Sequence, residues 1–381
     1  MRVLIILKYI PSEKHHQKSD LLKTTIEAHV MEGHEVVLLS TGKKAEHDFD
    51  EIKVRLSLVY KAWDKIIQKF MNGSRASLNA SLVKNVVKYN RDKPIDIIFA
   101  ECNSNQPAYH AHTLYRALGI PYVIREHRSY KKPKSEMSRR YLEALKTATS
   151  VVAVSPGLAK TMKDMSIRED IGFIPNALSD EFFEKPATTG GYRKWAGSAF
   201  LFAAWTRWRN IKRVDLLMEA FNQIIAHGLK AKLIIAGPVE PEENFTWAKK
   251  YLEEKGLSDQ VWLAGEISRP EIHSLAYECD CCVVSSDYET FGLPALEAMA
   301  AGTPVVTTKC NGPEFLVESK KLGRVVERDS GAALFAGMED VYKNHDNFNR
   351  EEIKRFAYER FSRTAVASKF TELYKELLRV K

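Results

Sequence analysis

The stretch Ser285–Val306, SSDYETFGLPALEAMAAGTPVV, decides how this chain is read. The apolar run Cys281–Ser286 leads into it as a short strand, and Asp287–Gly292 follows as a loop. Pro294 is expected as the first residue of a helix, where its missing N–H costs nothing. Gly302 stops that helix, and Thr303 opens the next strand. The helix therefore turns its free N–H groups and positive dipole end toward whatever lies beyond the strand's carboxyl end, an arrangement suited to an anion. Two carboxylates bracket the turn, Glu289 in the loop and Glu297 on the helix, with seven residues between them.

Outward from this unit the chain alternates strand and helix. In the first half, strands are expected at Arg2–Leu7, Glu35–Ser40, Ile95–Ala100, Pro121–Ile124, Ser150–Val154 and Gly172–Asn176. The second half has a matching series at Ala199–Ala204, Lys232–Ala236, Val261–Ala264, Cys281–Ser286, Pro304–Thr308 and Gly323–Glu327. Glu184-Lys-Pro-Ala-Thr-Thr-Gly-Gly lies between the two series and reads as a linker. Such alternation predicts two doubly wound parallel sheets, with ligands beyond the carboxyl ends of the strands.

Two Glu residues at this spacing mean little alone. With Phe291-Gly-Leu-Pro after the first and Ala298-Met-Ala-Ala-Gly-Thr-Pro-Val-Val after the second, they resemble the E-x(7)-E signature of the retaining glycosyltransferases of family 4. The resemblance runs over most of the chain and is strongest from Phe202 to Val326. It implies a GT-B fold: two Rossmann-like α/β domains facing a central cleft. Residues 1–185 are then the acceptor-side domain, with the last helix, 362–381, packing back on it, and residues 186–361 the donor-binding domain. The implied activity moves a sugar from a nucleotide-sugar to an acceptor with retention of configuration, without a cofactor or an essential metal.

The resemblance also implies residue roles. Arg207 and Lys212 lie in a basic loop between the strand ending near Ala204 and a helix starting near Val214, beside Arg209 and Arg213. They are similar to the family's R-x(4)-K pair, which grips the donor diphosphate with a flat fork and a point charge. Glu289 is expected on donor-sugar hydroxyls and Glu297 on the ribose, while N–H groups around Thr290, Phe291, Gly292 and Leu293 face the phosphates. His127, just past a strand, matches a family histidine near the donor sugar. Ile174-Pro-Asn-Ala resembles the family's I-P-N-G turn with Ala177 in place of Gly, and Asn176 is read as structural. The loop after the first strand, Tyr9–Asp20, departs from the family in holding no glycine, and His15, His16 and Lys18 supply its polar groups instead.

The net charge of +8 favours anionic partners: nucleotides, a phospholipid surface or nucleic acid. No nucleic-acid module accompanies it, so nucleic acid ranks last. No apolar run approaches the about 18 residues of a membrane span. Five cysteines without a framework point to reduced thiols in a cytoplasmic setting, peripheral to the inner face of a membrane if bound to one. Cys279-Asp-Cys-Cys has the wrong spacing for zinc and reads as buried thiols, and Asp48-Phe-Asp lacks a metal-site context. Two basic features bear on a glycan or lipid-linked acceptor. The stripe Ile52, Leu56, Val59, Trp63, Ile66, Phe70, flanked by Lys53, Lys61, Lys65 and Lys69, is a helix that either packs on the sheet or rests on an anionic bilayer. The segment Arg125–Lys146 holds eight cations against three anions, a net of 8 − 3 = +5, and is either a solvated surface or an acceptor face. A sugar-nucleotide epimerase and a noncatalytic nucleotide-sugar-binding protein are the rival readings.

Overall fold

The computed structural model describes residues 1–7, 16–40, 50–53, 76–130, 134–188 and 191–379. They form two compact units, Met1–Asn176 with Val366–Lys381, and Ala177–Ala365.

The first unit is a seven-stranded parallel sheet in the order β3-β2-β1-β4-β5-β6-β7. Its strands are β1 Arg2–Ile6, β2 Glu35–Ser40, β3 Asp50–Lys53, β4 Ile97–Cys102, β5 Tyr122–Glu126, β6 Ser150–Ala153 and β7 Ile171–Phe173. The central strands are apolar along most of their length because helices cover both faces, and every residue of β4 and β5 is buried. Strand β3 was not expected. Its sequence, DEIK, has one apolar residue, which is enough for an edge strand that takes its register from β2. Ile52 and Lys53, expected at the head of a helical stripe, lie in this strand. The rest of that stripe, Asp48, His15 and the side chains of His16 and Lys18 fall outside the described residues.

The second unit is a six-stranded parallel sheet in the order β10-β9-β8-β11-β12-β13. Its strands are β8 Phe200–Trp205, β9 Ala231–Ala236, β10 Val261–Gly265, β11 Cys281–Val284, β12 Val305–Thr308 and β13 Gly323–Val326. Residues 177–185, expected with the first half, belong to this unit. Leu178 N–H bonds the Phe361 carbonyl (2.9 Å), Arg363 bonds Asp180 (2.6 Å), and Phe182 packs on the His273 ring.

From Val366 onward the last helix, Arg363–Arg379, lies in the first unit, where it buries Val366, Ala367, Phe370, Thr371 and Tyr374. His29 is wholly buried beneath it, stacked on Phe370 at 4.4 Å between ring centroids. Its Nδ1 lies 2.7 Å from the Thr25 carbonyl and its Nε2 2.7 Å from the Tyr374 hydroxyl. Burial pushes its pKa down from 6.5 to about 4. The unfolded chain therefore binds this proton first as pH falls. The contribution is whole above pH 6.5 and is lost as pH drops from 6.5 toward 4. It amounts to about 3 kcal/mol. We expect the unfolding free energy of this unit, from denaturant melts at a series of pH values, to fall across that interval, and His29→Phe to flatten the slope at a lower plateau.

Candidate active site

In the second unit, crossovers from β8 run outward to β9 and β10 on one side, and β11, β12 and β13 fill the other. Strands β8 and β11 are neighbours, so their following loops diverge and leave a crevice at their carboxyl ends, the place where open α/β sheets bind ligands. The two sequence-marked loops are the ones that follow these strands.

After β8 the chain makes a 3₁₀ turn over Asn210–Lys212 and enters the helix Val214–Ala226. Ser285 Oγ donates to the Lys212 carbonyl (2.8 Å) and Asp287 N–H to the Ile211 carbonyl (2.8 Å), which ties this loop to the one after β11. Lys212 Nζ pairs with Glu289 Oε1, to which Ser286 Oγ also donates at 3.1 Å. The Glu289 backbone is fixed by its N–H bond to the Cys310 carbonyl at 2.7 Å.

The other cations of the loop separate by surroundings. Arg213 is consumed by Asp215 (3.0 Å), Asp287 (3.2 Å) and Asp329 (2.5 Å) and clips three loops together. Arg209 is exposed. The half-buried Arg207 side chain makes no hydrogen bond or ion pair among the described residues. Of the loop's arginines, Arg207 is thus the half-buried one whose charge these residues leave unpaired.

The helix Leu293–Ala300 starts after Gly292, which holds φ 95°, and no side chain caps it. Pro294 is its second residue rather than its first; Leu293 takes the first position. The Phe291 side chain is buried edge-on to Phe315 and Phe361, so only its backbone is on offer to a ligand. Glu297 is 3% exposed. Its Oε2 accepts from Trp205 Nε1 at 2.6 Å and its Oε1 from Arg269, whose guanidinium lies 4.4 Å from the Phe182 ring. Neither Trp205 nor Arg269 was singled out in the sequence. Trp205 closes the strand that precedes the basic loop, a position that would have marked it; Arg269 lies 28 residues before its partner and carried no signal.

In the first unit, His127 follows β5, and its Nε2 lies 2.8 Å from the wholly buried Glu101. Two cations of the expected basic face are held by wholly buried carboxylates. Arg125 is 0% exposed and pairs with Glu101 at 2.9 Å. Arg128 pairs with Glu126 at 3.1 Å and lies over the Tyr141 ring at 4.1 Å. A basic segment of sequence therefore supplies less surface charge than its count suggested, since two of its charges neutralise carboxylates inside the sheet's edge. Lys131 and Lys132 lie outside the described residues. All five cysteines are buried, the three of Cys279-Asp-Cys-Cys as expected, and burial pushes the Cys279 and Cys310 thiols up to about 12. No described helix is long and apolar enough to cross a membrane.

Gly312 presses on the Glu289 loop: a Cβ there would lie 2.7 Å from Phe291 N and 2.9 Å from Glu289 O, both backbone atoms that cannot step aside. Gly312→Ala is therefore expected to destabilise the second unit by about 1–3 kcal/mol, read as a lowered melting transition in calorimetry.

Residues 195–360 match the family "Glycosyl transferases group 1", and residues 21–182 match "Glycosyltransferase Family 4". Among curated relatives, a D-inositol 3-phosphate glycosyltransferase of Paenarthrobacter aurescens is 32% identical over 33% of this chain and 30% of its own. Matches to curated relatives, this one among them, take in 22% to 64% of the relatives' length. Among solved structures, a glycosyltransferase of Rickettsia africae superposes with a TM-score of 0.79 at 17% identity, over 100% of this chain and 99% of that one. Anabaena HepE, solved with UDP-glucose, gives a TM-score of 0.73 at 19% identity, over 99% and 100%. These likenesses identify the two parallel sheets as the GT-B fold, and with the two family matches spanning most of its length the chain belongs to family 4 of the retaining glycosyltransferases.

Proposed function

We propose that the chain transfers a sugar from a nucleotide-sugar, UDP-linked in preference to GDP-linked, to a glycan or lipid-linked acceptor in cell-surface polysaccharide or glycolipid synthesis. The observation that carries the reading is the Lys212–Glu289 pair, which joins the loop after β8, where Arg207 also lies, to the loop that leads into an uncapped helix. A carboxylate for sugar hydroxyls, two cations and a row of N–H groups for a diphosphate come together at one sheet edge. The UDP-glucose complex of HepE favours the uridine donor. The net charge of +8 suits an anionic acceptor or membrane surface, and five buried, unpaired thiols suit a reducing cytoplasm.

Chemically, the bond between the anomeric carbon and the diphosphate oxygen breaks while the acceptor oxygen bonds the same carbon from the same face. The acceptor proton passes to the departing phosphate. Negative charge grows on that phosphate, and Arg207, Lys212 and the N–H groups near Phe291, Gly292 and Leu293 stabilise it. Glu289 holds the sugar and Glu297 the ribose. No residue marks itself as a covalent nucleophile, so retention is assigned to this front-face course rather than to a double displacement.

Nucleoside diphosphate release across a panel of UDP- and GDP-sugars with candidate acceptors tests the reading. Glu289→Ala should abolish release while calorimetry still finds UDP binding, and Arg207→Ala should slow release by about 10²–10³-fold. Conversion of the donor without an acceptor would make the chain an epimerase, and binding without release a noncatalytic receptor. Unchanged turnover in Glu289→Ala would remove that residue from the site.

A further inference from the structure

We infer that Glu101 is a positioning residue for His127, fixing which ring nitrogen carries the proton and which is left to accept. The inference rests on the reading of the chain as a transferase in which His127 meets the sugar.

Strands β4 and β5 run parallel, and the register sets Glu101 beside Arg125, two residues before His127. Arg125 is locked on every side. It donates to the Ile174 carbonyl (3.3 Å), the Pro175 carbonyl (2.5 Å), Asn176 Oδ1 (3.0 Å) and Thr25 Oγ1 (3.3 Å), and it lies 5.5 Å from the Phe370 ring centroid. This gives Asn176 a physical role, as one wall of the guanidinium cage. A guanidinium so held gives Glu101 Oε1 a fixed place, and the same oxygen meets His127 Nε2 at 2.8 Å. The chain of fixed positions thus runs from the Ile174-Pro-Asn turn through Arg125 and Glu101 to the imidazole.

Charge decides the tautomer. Arg125 and His127 outweigh the cost of burial and bring the Glu101 pKa down to about 2, so the group is a carboxylate at neutral pH. A carboxylate only accepts hydrogen bonds. His127 Nε2 must therefore carry the proton, and in the neutral ring Nδ1 is the acceptor. The backbone completes the setting, since His127 N–H donates to Glu126 Oε1 at 3.0 Å. A second observation points the same way. Glu101 Oε2 is buried with no hydrogen bond among the described residues, while Oε1 takes both donors. Leaving one carboxylate oxygen bare has a cost that a support for Arg125 alone would avoid by turning both oxygens to the guanidinium. The observed placement gives up that fork to reach the imidazole.

Nitrogen-15 NMR of histidine-labelled protein reads the ring directly, with His127 assigned by its loss in His127→Ala. We expect the neutral ring to be the Nε2–H tautomer; an Nδ1–H ring overturns the pairing whether or not any donor is turned over. Glu101→Gln keeps an oxygen for both donors and removes the charge. With UDP-glucose and an acceptor found by the release assay, it should lower kcat by about 10- to 100-fold with little change in KM, alongside the lower melting temperature that follows from leaving Arg125 without its counter-charge. In a His127→Ala background the same change should do nothing further, because its effect passes through the ring. An equal loss in both backgrounds would make Glu101 a structural carboxylate and overturn the inference. Absence of turnover in the wild-type chain would instead count against the transferase reading and leave the tautomer to decide the pairing.

Discussion

Two parallel strands whose crossovers run in opposite directions cannot have their following loops close over each other. At β8 and β11 of the second unit that constraint opens a crevice, and the surrounding residues are arranged to keep its two walls at a set spacing. Ser285 and Asp287 reach back to carbonyls of the other loop, and Arg213 ties both to Asp329. Gly312 lets the backbone of the Glu289 loop, and Gly292 lets Pro313, approach closer than a Cβ would permit. Side chains on such walls keep their spacing without a ligand, so binding need not bear the cost of assembling them.

The first unit solves a different problem. Glu101, Arg125 and Glu126 are all wholly buried, and isolated charges there would be prohibitive. Each is matched. Arg125 faces Glu101 and three carbonyl or amide oxygens, and Glu126 accepts from the backbone of His127 and Arg128 and from the hydroxyls of Tyr130 and Tyr141. Pairs of this kind add little net stability compared with apolar packing, but losing one partner is expensive, which makes them rigid fixtures. The adjoining last helix, with Phe370 under both His29 and Arg125, is held to the sheet by the same groups.

What the sequence disclosed follows from range. The loop and helix of Ser285–Val306 were legible because their signals are local: a strand, a turn with Gly292, a proline in the first helical turn, a stop at Gly302. Alternation of strand and helix gave both sheets apart from β3, whose few residues have no periodicity to read. Arg269 and Gly312 escaped notice because their meaning lies in contacts with residues distant in the chain or across a tight turn. The basic run from Arg125 misled for the same reason. A count of charges does not reveal which of them have carboxylates waiting on the neighbouring strand.

The two glutamates of the motif show how position divides one chemistry into two duties. Glu289 is partly open, its side chain 15% exposed, and its charged partner is a lysine on a four-carbon stem. An ammonium is a point charge with no preferred fork, so Lys212 can swing from a carboxylate to a phosphate oxygen without breaking a bidentate fit. Under the transferase reading, an arriving diphosphate draws Lys212 away and frees Glu289 for sugar hydroxyls in the same movement. Glu297 has no such freedom. At 4% side-chain exposure it is gripped by a planar guanidinium on one oxygen and an indole N–H on the other. Under the same reading it would meet the donor's ribose with its remaining lone pairs in a direction already set, which suits a part of the donor that stays put while the sugar leaves. The seven residues between them span one loop and the first turn of one helix, and that short path turns one carboxylate toward a mobile cation and the other toward fixed donors.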